Sequence, residues 1–222
     1  MERRRDFLVT GLAVATGAMD AIGFLGLGGV FASVMTGNMV LFGLGAGNRT
    51  GGLALRAGLA IVGYIVGVAG GSRLGRRIGE SAAVWPGRVT VVLFVELSVL
   101  VGFAIGWELA GASPAGASQG LLIVIASLAM GMQSAGIREL GVQGLSTTYL
   151  TGTLTVVVSD LAGRRRPVGA GRDFGILLAL VLGAATTGVV VTEVPRAAPA
   201  FPLAVVTAVI IGAVATFSRQ PT

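Results

Sequence analysis

The sequence predicts an all-α polytopic membrane protein. It would cross the membrane about six times, as two inverted three-span halves that each begin with a long broken or re-entrant element. Three observations predict this. The 222 residues are 54% hydrophobic and only 12% charged, where a soluble domain of this size carries about 25% charged residues. Several apolar runs of about 16–25 residues are long enough, or nearly so, to cross a hydrocarbon layer of ~30 Å. The chain also holds 37 glycines, and in a membrane small residues let helices approach closely.

Taken in order, the chain opens with "MERRRDFLVTGLAVATG". Arg4-Arg5-Asp6-Phe7-Leu8 resembles a twin-arginine export signal, but a basic start before one of many apolar runs reads as a first membrane helix with its N-terminus inside. The apolar stretches cover 7–47, 57–72, 89–107, 119–137 with 147–163, 173–192 and 201–217. A continuous helix over 7–47 would measure about 60 Å, twice the hydrocarbon layer. The first and fourth stretches are therefore each two spans, or one span plus a broken or re-entrant piece.

The arginines choose between these readings. All sixteen basic residues are Arg, and the net charge is +6. With one net crossing per long stretch, both termini lie inside. Arg3, Arg4, Arg5, Arg73, Arg76, Arg77, Arg88, Arg164, Arg165, Arg166, Arg172 and Arg219 lie there with them, and Arg49, Arg56 and Arg196 lie outside. Arg138 falls within the fourth stretch and is not counted. With eight spans, Arg73 to Arg88 change sides with Arg49 and Arg56, and the asymmetry shrinks. The positive-inside rule favours six crossings.

Residues 17–38, "GAMDAIGFLGLGGVFASVMTGN", align weakly with 131–153, "GMQSAGIRELGVQGLSTTYLTGT". With one gap, Gly17 meets Gly131, Asp20 meets Ser134, and Thr36-Gly37 meets Thr151-Gly152. Each segment is followed by two apolar spans. Three crossings per half is an odd number, so residues 1–112 and 113–222 would form half-repeats of opposite orientation within one membrane domain. In such folds the binding site lies near the midplane, at matching helix breaks.

"DAIGFLGLGGVFASVMTGNMV" and "LAMGMQSAGIRELGVQGLSTTYLTGTLT" resemble the two signature regions of the YoaK-like family of bacterial integral membrane proteins, a domain of unknown function. The resemblance spans essentially the whole chain. It implies a multi-pass protein of the bacterial inner (plasma) membrane and supplies no substrate or site residue.

Candidate residues follow from cost. Asp20 lies about fourteen residues into the first stretch, where a carboxylate costs about 2.5–3.5 kcal/mol. It must face the protein interior, find a donor or be protonated. Glu96, in "VVLFVELSVL", is central in its span, and both carboxylates are candidates for proton or ion coupling. Thr36, Gly37 and Asn38 form one polar break; Thr151, Gly152 and Thr153 form the other. There Thr could cap a half-helix, Gly could open backbone N–H groups to a ligand, and Asn38 could add a donor and an acceptor. Close helix crossing through small residues explains the same breaks without a ligand. Gln133, Gln143, Thr147 and Thr148 enrich the second polar region, with Gln133 a further binding candidate. Arg138-Glu139 reads as a boundary or cavity position. Gly63, Gly67, Gly71 and Gly75 make a small-xxx-small stripe for helix packing, within the chain or between copies.

The sequence contains neither Cys nor His, which removes the usual zinc sites and thiolate or Ser–His nucleophiles. No metal, cofactor or enzymatic activity is expected, and no nucleic-acid partner, since no aromatic-interleaved basic patch occurs. "GLGAGN" at 43–48 lacks a strand–helix context, and Asp160, beside Arg164, reads as interfacial, not as half of a protease dyad with Asp20. The expected partners are the lipid bilayer, a small polar solute and further copies of the chain. The leading functional reading is a small secondary transporter or facilitator. The alternative is a non-transporting protein that binds a lipid or protein through its Gly-rich helix faces.

Overall fold

The computed structural model describes residues 1–78, 83–141 and 170–217, and between 142 and 169 only 152, 154, 155, 158, 159, 162 and 163. Among the described residues the regular structure is helical: α1 (Glu2–Gly26), α2 (Met35–Gly47), α3 (Gly51–Ile78), α4 (Gly87–Leu109), α5 (Gly116–Arg138), α6 (Ala170–Glu193) and α7 (Ala200–Phe217), with a 3-10 turn at Pro195–Ala197 before α7. Among the described residues, six helical segments are long and apolar enough to cross a membrane; α2 is not among them. Several helices outrun the apolar stretch that predicts them. The α3 helix extends past 57–72 into Arg76 and Arg77, whose long side chains can keep their charges at an aqueous boundary.

The first long stretch resolves into a helix, a tight turn and a short return. The α1 helix is about 37 Å long at 1.5 Å per residue and stops at Gly26. Gly28 and Gly29 follow with φ +87 and +82, a left-handed conformation that glycine adopts without strain. The chain then folds back against its own helix. A Cβ on Gly23 would come within 2.7 Å of the Val30 carbonyl oxygen, and Ser33 bonds to Asp20, more than a turn below the end of α1. From there α2 climbs back along α3, with Gly45 against Ala54 and Phe42 beside Gly58. At about 20 Å, α2 is too short to span. The segment enters and leaves at the same end, so this stretch makes one net crossing.

Two helix pairs form the body. Gly63, Gly67, Gly71 and Gly75 of α3 meet Val124, Leu128 and Met132 with Ala135 of α5, and Glu139 just past its end, in rising order, so α3 and α5 run parallel. A Cβ at Gly67 would collide with the Leu128 carbonyl oxygen, and one at Gly131 with that of Tyr64. On the other side of the molecule, Gly17 of α1 lies on the Leu180 carbonyl and the Ala184 amide of α6, and Gly183 lies on the Val14 carbonyl. Leu25 near Gly188 continues that pairing in the same direction.

Outer helices brace each pair in an antiparallel sense. The α4 helix runs against α5 through Gly106 on Leu122 and Gly136 on Val92, and α7 runs against α1 through Gly212 on Leu8 and Gly11 on Val209. Trp85 stacks on Phe217 at one end of the molecule. Trp107 donates to the Pro195 carbonyl at the other (2.9 Å) and fills the space that a side chain at Gly26 would take. The α5 helix ends, and α6 begins, at the end that holds the start of α1. Arg138 lies at that end too, beside the Arg88–Glu139 ion pair (3.0 Å). Arg49, Arg56 and Arg196 lie at the opposite end.

Candidate functional site

Asp20 is 7% exposed and both of its oxygens are used. The Ser33 amide donates to Oδ1 at 2.7 Å and the Ser33 hydroxyl to Oδ2 at 2.6 Å. These are short, charge-assisted bonds that tie the turn to α1. Asn38 completes the turn from the α2 side. Its Nδ2 donates to the Phe31 carbonyl at 2.7 Å, and its Oδ1 accepts from the Phe31 amide at 3.0 Å. The side chain thus pairs with one residue's backbone as a neighbouring strand would.

A second polar contact lies where α1 crosses α5. The Thr16 hydroxyl donates to the Leu12 carbonyl (2.9 Å). Gln133 Nε2 donates to the Thr16 oxygen at 2.7 Å and reaches the Leu12 carbonyl at 3.3 Å. Thr16 and Gln133 are 0% and 1% exposed. The other end of the amide, Gln133 Oε1, is buried without a partner among the described residues, as are both Glu96 oxygens and the hydroxyls of Ser127, Ser134 and Thr187. Glu96 sits at the middle of the buried face of α4, among Val89, Val92, Leu93, Leu100 and Phe103. The antiparallel register of α4 on α5, fixed by Val92–Gly136 and Gly106–Leu122, brings Glu96 level with Met132 and Gln133. The described spans carry no charge away from their ends other than Asp20 and Glu96.

The first polar break differs from its sequence reading. The N-cap of α2 is Val34, with no side-chain cap, and Thr36 is an exposed residue in the first turn. The Asn38 amide, which closes on the Val34 carbonyl at 3.1 Å, sets the N-cap two residues before Thr36. Nor does Asn38 offer a free donor and acceptor, because the Phe31 backbone takes both. Gly37 packs beside the Phe31 ring. In the second break, Gly152 is helical and exposed with open space around it. Thr151, Thr153, Gln143, Thr147, Thr148 and Asp160 lie outside the described residues.

Two participants are missing from the sequence reading. Thr16 lies one helical turn before Asp20, on the same side of α1, and that spacing could have found it. Ser33 is thirteen residues from Asp20, and only the folded-back turn brings them together. At the end carrying Arg56, a groove of about 540 Å³ opens between the first turns of α3 and α5, lined by Leu55, Arg56, Leu59, Gln119 and Val124 among others. Arg56 Nε donates to the Gly28 carbonyl at 3.0 Å, so the groove adjoins the turn that Asp20 anchors.

Comparison with known proteins identifies the family. Residues 8–213 match the model of a protein family of unknown function, DUF1275. A curated relative, the UPF0700 transmembrane protein YoaK of Bacillus subtilis (strain 168), is 35% identical over 161 residues, which cover 72% of this chain and 68% of the relative. No solved structure matches the chain. The chain belongs to this family of integral membrane proteins of unknown function.

Proposed function

We propose that this family member is a small secondary transporter or facilitator for a small polar solute, with its site at the crossing of α1 and α5. The observation that carries the reading is the buried polar layer there: Gln133 bonded to Thr16, with Glu96 on the neighbouring helix at the same level. Intramembrane ionisable groups are expensive and face the protein interior or a solute path. A polar layer at the crossing of two central helices has the character of a midplane site.

The packing supports an inverted repeat around that crossing. Gly17 rests on Leu180 and Ala184 as Gly131 rests on Tyr64 and Val68; Gly183 meets Val14 as Gly67 meets Leu128; Gly212 meets Leu8 as Gly106 meets Leu122. Each contact has a partner of the same form in the other half, and Gly17 and Gly131 are the residues that the internal sequence match pairs. The rival reading needs the Gly63–Gly75 stripe for a lipid or protein partner, but α5 already covers that stripe. We assign the end rich in arginine to the cytoplasm of a bacterial inner membrane, by the positive-inside rule. In this reading Asp20 serves the site indirectly, by holding the re-entrant turn.

The test is solute flux into proteoliposomes across a panel of polar solutes. A solute taken up by wild type and slowed by both Gln133→Leu and Glu96→Gln supports the reading. No uptake of any solute by folded protein, or uptake indifferent to both changes, rejects it.

A further inference from the structure

We infer that Glu96 and Gln133 form a binding site for a small monovalent cation of the Na⁺ class; the inference rests on the transport reading above and names the coupling ligand of that same site. The two buried carboxylates within the spans differ in a way that assigns them different roles. Asp20 receives a hydrogen bond at each oxygen from Ser33. Glu96 is fully buried, and neither of its oxygens has a partner among the described residues. A carboxylate buried so either takes up a proton or keeps its charge against something positive.

Gln133, level with Glu96 on the adjacent helix by the α4–α5 register, presents another acceptor. Gln133 commits Nε2 to Thr16 and Leu12 on α1. That turns Oε1 to the opposite side of the amide, where it too is buried and without a partner among the described residues. Oxygen acceptors are what a hard cation takes. The charge selects a monovalent ion, because one carboxylate balances one positive charge. The next charged residue toward the start of α4 is Arg88, two turns away at about 12 Å, and it is engaged with Glu139. The site also lies where a coupling ion would act. Gln133 bridges the two central helices, so an ion held between Glu96 and Gln133 would bias how α1 and α5 cross.

The experiment measures cation-dependent thermal stabilisation of the purified full chain in detergent at one pH, titrating NaCl against choline chloride at constant ionic strength, with LiCl and KCl as further arms. Stabilisation that rises with the logarithm of cation concentration reports binding to the folded state. The expected result is stabilisation by Na⁺ or Li⁺ that is lost in Glu96→Gln, weakened in Gln133→Leu and partly restored in Glu96→Asp. Asp20→Asn should melt lower yet keep the cation response. A response that persists in Glu96→Gln overturns the inference, as does the same melting temperature in all four salts. The transport reading separates cleanly in proteoliposomes. Solute flux by a protein with no cation response removes the cation site and keeps transport; Na⁺ binding without any flux keeps the site and removes transport.

Discussion

At the scale of single residues, the re-entrant turn depends on two side chains that answer backbone groups. Ser33→Ala removes the 2.6 Å donor from Asp20 Oδ2 and leaves a buried carboxylate oxygen short of a partner. That loss costs about 1–3 kcal/mol, read as a lower melting temperature in detergent, and Ser33→Thr should recover part of it. Thr36→Val should change stability by less than about 0.5 kcal/mol, because Thr36 is exposed and no cap depends on it. A larger loss at Thr36 than at Ser33 would contradict this account of the turn. The sequence ranks these residues the other way, and the reason is physical. Thr-Gly-Asn announces a polar break but not which polar atoms the backbone will consume. Asp20 is legible as a buried carboxylate from its depth in the apolar run. Its partner is not, since only the turn through Gly28 and Gly29 carries Ser33 back to it.

At the scale of helices, contacts between backbones set the packing, and glycine is the residue that permits them. Gly67 and Gly131 lie on opposite helices of one pair, each where a Cβ would strike a carbonyl oxygen of the other. Gly67→Ala and Gly131→Ala should each cost about 1–3 kcal/mol through overpacking. Gly70, three residues along the same helix, has open space around it, and Gly70→Ala should be neutral or should gain up to about 1 kcal/mol in helix propensity. Melting temperatures of the three variants in one detergent check the contrast; similar losses at Gly67 and Gly70 would remove the close α3–α5 approach. The four-residue glycine period makes the packing stripe on α3 legible in the sequence. Its partner is not, because periodicity names a face and not what lies against it. Gly17 and Gly183 carry the same role on the other pair, yet neither belongs to a regular stripe like that of α3.

At the scale of the whole molecule, the arginines and the helix directions agree on one topology. Arg3, Arg4, Arg5, Arg73, Arg76, Arg77, Arg88, Arg138 and Arg172 fall at one end, and Arg49, Arg56 and Arg196 at the other. Arg138, which the apolar pattern alone leaves without a side, joins the larger group because α5 ends beside Glu139 and Arg88. The six-crossing arrangement is legible because charge bias acts on loops, whatever the helices do between them. The route of α2 is not legible, because a thirteen-residue helix and a full span begin with similar apolar text. The chain contains no cysteine, so single-cysteine variants report topology without background. Gly51→Cys and Ser113→Cys should both label with a membrane-impermeant maleimide added outside intact cells. Arg77→Cys should label only after the membrane is opened. A variant at Gly43, within α2, discriminates further, since a re-entrant α2 returns to the side of Gly51. Labelling at Gly43 should therefore come from the outside or not at all. Protection of Gly51 with labelling of Arg77 from outside would reverse the orientation, and outside labelling at all four positions would break the six-crossing arrangement itself.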